Sequence, residues 1–319
     1  MSDRPLVLVT EHLDDAAFDW LAAHADAQRL RHDDPAFAAR LPQADGLVIR
    51  TYTKITPDLL AAAPRLKVVG RAGVGLDNVD LAACAARGVA VVHTPDANST
   101  AVVEYVFALL LDATRPRGFL DHALEQDRWN DLRNELKARR QLAQMTLGIL
   151  GLGKIGRRVA RVAQAFGIRV IYHDLLDVPP EQRSGASPVS RRELFEQADA
   201  LTIHVDGRKR NRGLVGADDL GRCKSDVILI NTSRGFVVDK LALADFMLAH
   251  PAACALLDVH EPEPFDGTYP LLDIPNVHLA PHIASSTALA HANMSWVVKD
   301  VFRVLKGETP EFPAQPEPA

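Results

Sequence analysis

Residues 146–174 read TLGILGLGKIGRRVARVAQAFGIRVIYHD. The apolar run at 147–150 predicts a buried strand, and it ends in Gly151-Leu152-Gly153-Lys154-Ile155-Gly156, the spacing GxGxxG. Val159, Val162, Ala163 and Phe166 then recur on one face of a helix that Gly167 stops. A second strand is predicted over 168–172, closed by His173-Asp174. Each glycine answers a physical demand. Gly151 permits the tight strand-to-helix turn, Gly153 lets a pyrophosphate approach the backbone, and Gly156 lets the helix pack closely on the sheet. The first turn of the helix offers its unpaired N–H groups to the phosphates. A glycine-rich turn alone is weak evidence, but strand, helix and terminal acid together predict a dinucleotide-binding β-α-β unit. The Asp174 carboxylate can accept hydrogen bonds from a ribose diol and would repel a 2′-phosphate, which favours NAD over NADP.

Outward from this unit the rhythm continues on both sides. Strands are predicted over 6–10, 46–50, 68–71 and 89–93, with helical patterns at 59–63 and 81–87 between them. Asn98-Ser99 make good N-caps for a long helix over 100–113. A second series of strands runs from Thr146 through 201–205, 227–231, 255–259 and 277–280. Two α/β domains with parallel sheets follow from this alternation. Residues 285–307 read as one helix with Ala288, Ala292, Val297, Val301 and Val304-Leu305 on its apolar face. Periodicity does not say which domain that helix joins.

Composition sets limits. The chain has 319 residues, 47% hydrophobic and 24% charged, enough for two domains of common size. A formal net charge of −5 argues against a nucleic-acid-binding surface. Cys84, Cys223 and Cys254 are sparse and odd in number, which suits a reducing cytoplasm better than a disulfide framework. No apolar run approaches the roughly 20 residues that span a bilayer. The N-terminus lacks the apolar core of a signal peptide, and the proline-rich tail at 310–319 is expected to be disordered. No residue is assigned to a metal.

Three polar residues sit in loops that follow predicted strands: Arg234 in Asn231-Thr232-Ser233-Arg234-Gly235, Glu263 in Glu261-Pro262-Glu263-Pro264, and His282 in Ala280-Pro281-His282. In open α/β sheets the ligand crevice lies beyond the carboxyl ends of the strands. Taken singly, the Arg reads as a salt-bridged surface residue and the Glu as a loop residue. Together they suit oxidation of a 2-hydroxy acid. A histidine removes the hydroxyl proton, a carboxylate fixes its tautomer, and a guanidinium grips the substrate carboxylate.

These residues fall within a longer ordered set. Ile49-Arg50-Thr51 is followed by Gly70-Arg71-Ala72-Gly73-Val74-Gly75-Leu76-Asp77-Asn78-Val79-Asp80, then His93-Thr94-Pro95 and Asn98. After them come the glycine loop, Asn231-Thr232-Ser233-Arg234-Gly235, Glu263-Pro264 and Pro281-His282. The chain thereby resembles the D-isomer-specific 2-hydroxyacid dehydrogenases, over nearly its whole length. The resemblance implies two Rossmann-like doubly wound parallel-sheet domains, with the NAD domain (97–283) inserted into a discontinuous substrate domain (1–96 and 284–319). It implies Arg234, Glu263 and His282 as the catalytic set, with Glu263 preferred over Glu261. NAD would be held by Gly151, Gly153, Lys154, Ile155, Gly156, Asp174, His204, Val205, Thr232, Ser233 and Asp258, the last near the nicotinamide carboxamide. Substrate would meet Arg50 and the backbone at Val74 and Gly75. The implied activity is hydride transfer between nicotinamide and C2 of a small D-2-hydroxy or 2-keto acid, by a homodimer.

Alternatives are D-3-phosphoglycerate dehydrogenase and a non-catalytic NAD-sensing corepressor-like scaffold. Asn130-Asp131, where phosphoglycerate-oxidising relatives tend to be basic after the tryptophan, weaken the first. The run Arg208-Lys209-Arg210 departs from the family pattern and reads as a solvated face.

Overall fold

The computed structural model describes residues 4–314. In chain order the first segment runs β1 (Leu6–Val9), α1 (Asp15–His24), β2 (Asp26–Arg29), α2 (Pro35–Arg40), β3 (Gly46–Ile49), α3 (Pro57–Ala62), β4 (Val68–Arg71), α4 (Leu81–Ala86) and β5 (Ala90–His93). The second runs α5 (Ser99–Thr114), α6 (Gln126–Glu135), β6 (Thr146–Leu150), α7 (Lys154–Ala165), β7 (Arg169–His173), β8 (Ser187–Pro188) and α8 (Arg191–Gln197). It continues through β9 (Ala200–Ile203), α9 (Ala217–Leu220), β10 (Ile228–Asn231), α10 (Lys240–Ala249), β11 (Cys254–Leu257) and β12 (Val277–Leu279). Helices α11 (Ala288–Ser295) and α12 (Val298–Leu305) close the chain.

The chain divides into two units, residues 1–98 with 286–319, and residues 99–285. The smaller unit carries a parallel sheet in the order β2-β1-β3-β4-β5. The larger carries seven parallel strands in the order β12-β11-β10-β9-β6-β7-β8. From β6 the strand order reverses toward β9, the topological switch point of a dinucleotide fold.

Alternation along each strand builds a core on both faces. In the larger unit Leu147, Ile149, Val170 and Ile230 pack against α5 and α7, while Leu150, Ile171, Leu201 and Leu229 pack against α8 and α10. Fully parallel sheets need this double cover. In the smaller unit Leu8, Leu47 and Val69 face α2–α4, and Val7, Val48 and Val68 face α1 and α12. Strands β2 and β8 had no counterpart in the sequence reading. Both are edge strands, and β2 (DAQR) buries no side chain, so no apolar period marks it.

Three expectations are corrected. The terminal helix is broken into α11 and α12, joined by i→i−3 bonds from Trp296 to Asn293, Val297 to Met294 and Lys299 to Trp296. This tightened turn lets Ala290 and Met294 as well as Val297, Val298 and Val301 be buried, whereas Ala288 is exposed. Both helices belong to the smaller unit, and α12 lies so close to β4 that a Cβ on Gly70 would stand 2.3 Å from Val301 Cγ2. Phe166 caps α7 and is 41% exposed, stacking on Phe107 and not joining the buried face. The tail is tied down as far as Ala314, whose N–H donates to the Val91 carbonyl at 2.7 Å. Buried Asp300 accepts from the N–H groups of Glu311 (3.0 Å) and Phe312 (2.8 Å). The expectation of disorder over 315–319 lies outside the described residues.

Candidate active site

Because all strands of the larger sheet are parallel, their carboxyl ends share one edge. The loops that leave that edge carry nearly every residue the sequence reading singled out. After β6 comes the glycine loop. Gly151 sits at φ +93°, pressed on the backbone of His204 and Val205, where a Cβ would come within about 3 Å. A Cβ on Gly153, by contrast, would meet nothing within 4 Å, and no side chain caps α7, which starts at Lys154-Ile155. Open backbone at the uncapped start of a 12-residue helix suits a pyrophosphate.

Asp174 follows β7. Its carboxylate accepts from Leu152 N–H in the glycine loop (2.7 Å) and from Leu176 N–H (2.9 Å). Each oxygen keeps a lone pair for another donor. A hollow of about 260 Å³ lies beside it, lined by residues 172–177 with Pro188 and Val189. After β9, His204 accepts from or donates to Thr202 Oγ1 through Nε2 at 2.9 Å, and burial pushes its pKa down to about 3, so the ring is neutral. The Val205 carbonyl accepts from Ser233 Oγ at 2.6 Å. Thr232 Oγ1 is buried without a hydrogen-bond partner in the protein, a group that a bound ligand can satisfy. The residues at this edge therefore fit a dinucleotide.

Arg234 leaves β10 with Nη1 donating to the Ser233 carbonyl at 2.7 Å. Asn231 braces this loop by accepting from Ser233 N–H and donating to the Arg234 carbonyl, both at 3.0 Å. Glu263 and His282 meet directly: His282 Nδ1 lies 2.7 Å from Glu263 Oε2. An ionised carboxylate only accepts, so Nδ1 carries the proton and the lone pair is left on Nε2. The other oxygen, Oε1, accepts from His260 N–H at 2.6 Å. Burial works to raise the Glu263 pKa, but the hydrogen bonds from His282 and from His260 N–H outweigh it and hold the carboxyl below its usual range. Glu261 is engaged elsewhere, with Arg212 and with Lys240 bound to its carbonyl.

His282 adopts φ +55°, a left-handed conformation that costs a non-glycine residue on the order of 1–3 kcal/mol. Asp258, at the end of β11 and fully buried, holds the turn by accepting from Ile283 and Ala284 N–H, each at 2.8 Å. Burial dominates here and raises the Asp258 pKa. In the basic run Arg208 pairs with Asp206 at 2.9 Å, and Lys209 and Arg210 are exposed. Among the described residues no group of three or more His, Cys, Asp or Glu could hold a metal ion.

Arg50, Val74 and Gly75 belong to the smaller unit. The loop of Arg50 is organised by Glu11, which sequence reasoning missed. Its carboxylate accepts from the N–H groups of Arg50 (3.0 Å), Thr51 (2.8 Å), Tyr52 (3.1 Å) and Thr53 (3.1 Å), and from Thr53 Oγ1 (3.0 Å). Burial raises its pKa, but these donors prevail and lower it. Asn78 holds the same loop by its carbonyls, donating to Arg50 (2.9 Å) and Thr53 (2.7 Å). The Arg50 guanidinium donates to the His12 carbonyl at 3.2 Å and contacts the His291 ring. The Val74 carbonyl lies 3.1 Å from His93 Nδ1. Tyr52 projects from this loop, 70% exposed. Nothing in sequence links Glu11 to a loop some 40 residues away, whereas Asn78 stood in a quoted motif without a role.

Residues 107–284 match the model of the D-isomer specific 2-hydroxyacid dehydrogenase, NAD binding domain. The chain is 32% identical over 305 residues to a D-3-phosphoglycerate dehydrogenase of Archaeoglobus fulgidus, covering 94% of this chain and 57% of that one. It thus spans little more than half the length of the phosphoglycerate dehydrogenases it matches. To a glyoxylate reductase of Aeropyrum pernix it is 35% identical over 306 residues, 93% of this chain and 91% of that one. Among solved structures, an NADPH-dependent glyoxylate/hydroxypyruvate reductase from Sinorhizobium meliloti, in complex with NADP and malonate, superposes with a TM-score of 0.83 at 29% identity. That likeness covers 98% of this chain and 97% of the other.

The lowered Glu263 pKa has a testable sign. A carboxyl depressed in the folded state stabilises above its ordinary value of 4.5, and that contribution is lost as pH falls through the lower folded value. The melting-temperature gap between wild type and Glu263→Gln should therefore hold steady down to about pH 5 and close below it. A gap that did not change with pH in acid would show that Glu263 is not charged in the pair.

Proposed function

The chain belongs to the D-isomer-specific 2-hydroxyacid dehydrogenase family, and from that premise we propose that it is an NAD-dependent oxidoreductase acting at C2 of a small D-2-hydroxy acid or its 2-keto acid. The observation that carries this reading is the His282–Glu263 pair at 2.7 Å, on the same sheet edge as the glycine loop and Arg234. Bound NAD would supply or accept the hydride. In oxidation His282 Nε2 takes the hydroxyl proton, and Glu263 stabilises the imidazolium that forms. In reduction the protonated ring returns it to the C2 oxygen. Arg234 offers a permanent, forked cation to the substrate carboxylate and the polarised oxygen. The residues for NAD are those of the glycine loop, with Asp174 for the adenosine ribose, His204, Val205, Thr232 and Ser233 along the edge, and Asp258 toward the carboxamide.

Asp174 argues for NAD, since its carboxylate would meet a 2′-phosphate at contact range. Relatives named as phosphoglycerate dehydrogenases keep 3-phosphoglycerate among the candidate substrates. An intact His–Glu pair speaks against a scaffold that only senses the nucleotide. The partner we propose is a second copy of the chain. Helix α6 buries no residue of its own, and Trp129 on it is 44% exposed, with Phe119 just before it 90% exposed. These exposed aromatic side chains are the surface on which a second copy would close. Among the described residues no helix is long and apolar enough to cross a membrane.

Three measurements test these statements. NADH should be oxidised with glyoxylate, hydroxypyruvate or pyruvate, or NAD reduced with 3-phosphoglycerate. His282→Ala should then lower kcat by roughly 100- to 10,000-fold with NADH affinity unchanged. Near-normal turnover in that variant would remove His282 from proton transfer. Wild type should prefer NADH to NADPH by kcat/KM, and Asp174→Ala should weaken NADH and gain relatively for NADPH. A wild-type preference for NADPH would assign the discrimination elsewhere. Sedimentation equilibrium should give twice the chain mass, and Trp129→Glu should shift it toward the monomer. A monomeric wild type would refute the dimer.

A further inference from the structure

We propose that His260 is a positioning residue that holds the loops of Arg234, Glu263 and His282 in one register; this rests on the oxidoreductase reading above. His260 follows Asp258-Val259 at the end of β11 and is 6% exposed. It touches each of the three loops by a different group. Its N–H donates to Glu263 Oε1 at 2.6 Å. Its ring Nε2 lies 2.8 Å from the carbonyl oxygen of Ala280, two residues before His282. Its backbone lies flat against Gly235, the residue after Arg234, where a Cβ would stand 2.0 Å from the His260 carbonyl carbon.

The tautomer follows from the partners. A carbonyl oxygen only accepts, so Nε2 carries the proton, and Nδ1 faces the Tyr269 hydroxyl at 3.5 Å. Phe265 and Tyr269 meet the ring edge-on, with centroids 4.8 and 5.6 Å away, and fix its plane. Asp258 grips the other side of the His282 turn through Ile283 and Ala284. The left-handed His282 is thus clamped on both flanks, by Asp258 on the two amides that follow it and by His260 on the carbonyl of Ala280. A residue holds such a conformation only where its surroundings over-determine it. Misplacing a proton-transfer group by about 1 Å is enough to cost orders of magnitude in rate.

Glutamine places its amide nitrogen near the imidazole Nε2 position, whereas asparagine stops near Nδ1 and cannot reach Ala280. Phenylalanine keeps the ring and loses the donor. We expect His260→Phe and His260→Asn to lower kcat about tenfold, with keto-acid KM and NADH affinity within about threefold, and His260→Gln to recover most of the loss. A second readout needs no turnover. In ¹⁵N spectra the neutral His282 ring of wild type should show one tautomer, protonated at Nδ1; in the Phe and Asn variants it should be mixed. If wild type turns over none of the keto acids and does not reduce NAD with 3-phosphoglycerate, the oxidoreductase reading fails while the spectra still decide the role of His260. If the Phe variant does not fold, the contrast between Gln and Asn carries the test. A wild-type kcat with an unchanged His282 tautomer in the Asn variant, or Gln no better than Asn, would overturn the proposal.

Discussion

Seven strands running one way force every strand of the larger sheet to deliver its chain to the same edge. Residues as distant in sequence as Gly151 and His282 are brought together there without any local interaction between them. The cost of this arrangement is that both faces must be covered, and the alternating side-chain direction along β6, β7, β9, β10 and β11 meets it with two separate cores. The candidate site side chains are confined to the loops, where the ladder no longer uses the backbone groups. The helix that begins at Lys154 can then spend its first turn on a ligand and not on a cap.

Loops freed in this way must be pinned, and the protein repeats one device to do it: a carboxylate turned back on backbone N–H groups. Glu11 organises the Arg50–Thr53 loop, Asp258 the turn at His282, Asp174 the glycine loop, and Glu263 the amide of His260 in the loop after β11. The electrostatic outcome differs with the number of donors. Glu11 takes four backbone N–H groups and a hydroxyl, enough to overcome its burial and lower its pKa. Asp258 takes two, which do not offset burial, and its pKa rises. Glu263 lies on the favourable side because an imidazole joins the donors. The same chemical group thus serves as a fixed anchor in one loop and as a charge partner in another.

Much of the candidate site is legible in the sequence. The glycine loop announces itself because its turn, its ligand approach and its helix packing each exclude a side chain, and exclusion leaves a mark in sequence. Arg234, Glu263 and His282 were visible as chemically apt residues after predicted strands, and their order matched a family pattern. Glu11 and His260 were not visible. Their partners are backbone groups, which every residue has, so no pairing of residue types points to them. The break between α11 and α12 was hidden for a related reason: the apolar positions are compatible with one helix, and only packing α12 on the sheet with α11 beside α1 demands the tighter turn.

By itself the sequence determined the alternation of strands and helices, the glycine-rich loop between strand and helix, and which chemically apt side chains follow the strands, because periodicity and residue chemistry are local properties. Tertiary structure decided what distance and orientation must settle. It assigned the last helices to the smaller unit and joined His282 to Glu263 and not to Glu261. It also showed which buried carboxylates and which histidine hold the loops still. Those outcomes depend on which backbone groups the fold leaves unpaired at the sheet edge, and that is a property of the assembled sheet and not of any segment within it.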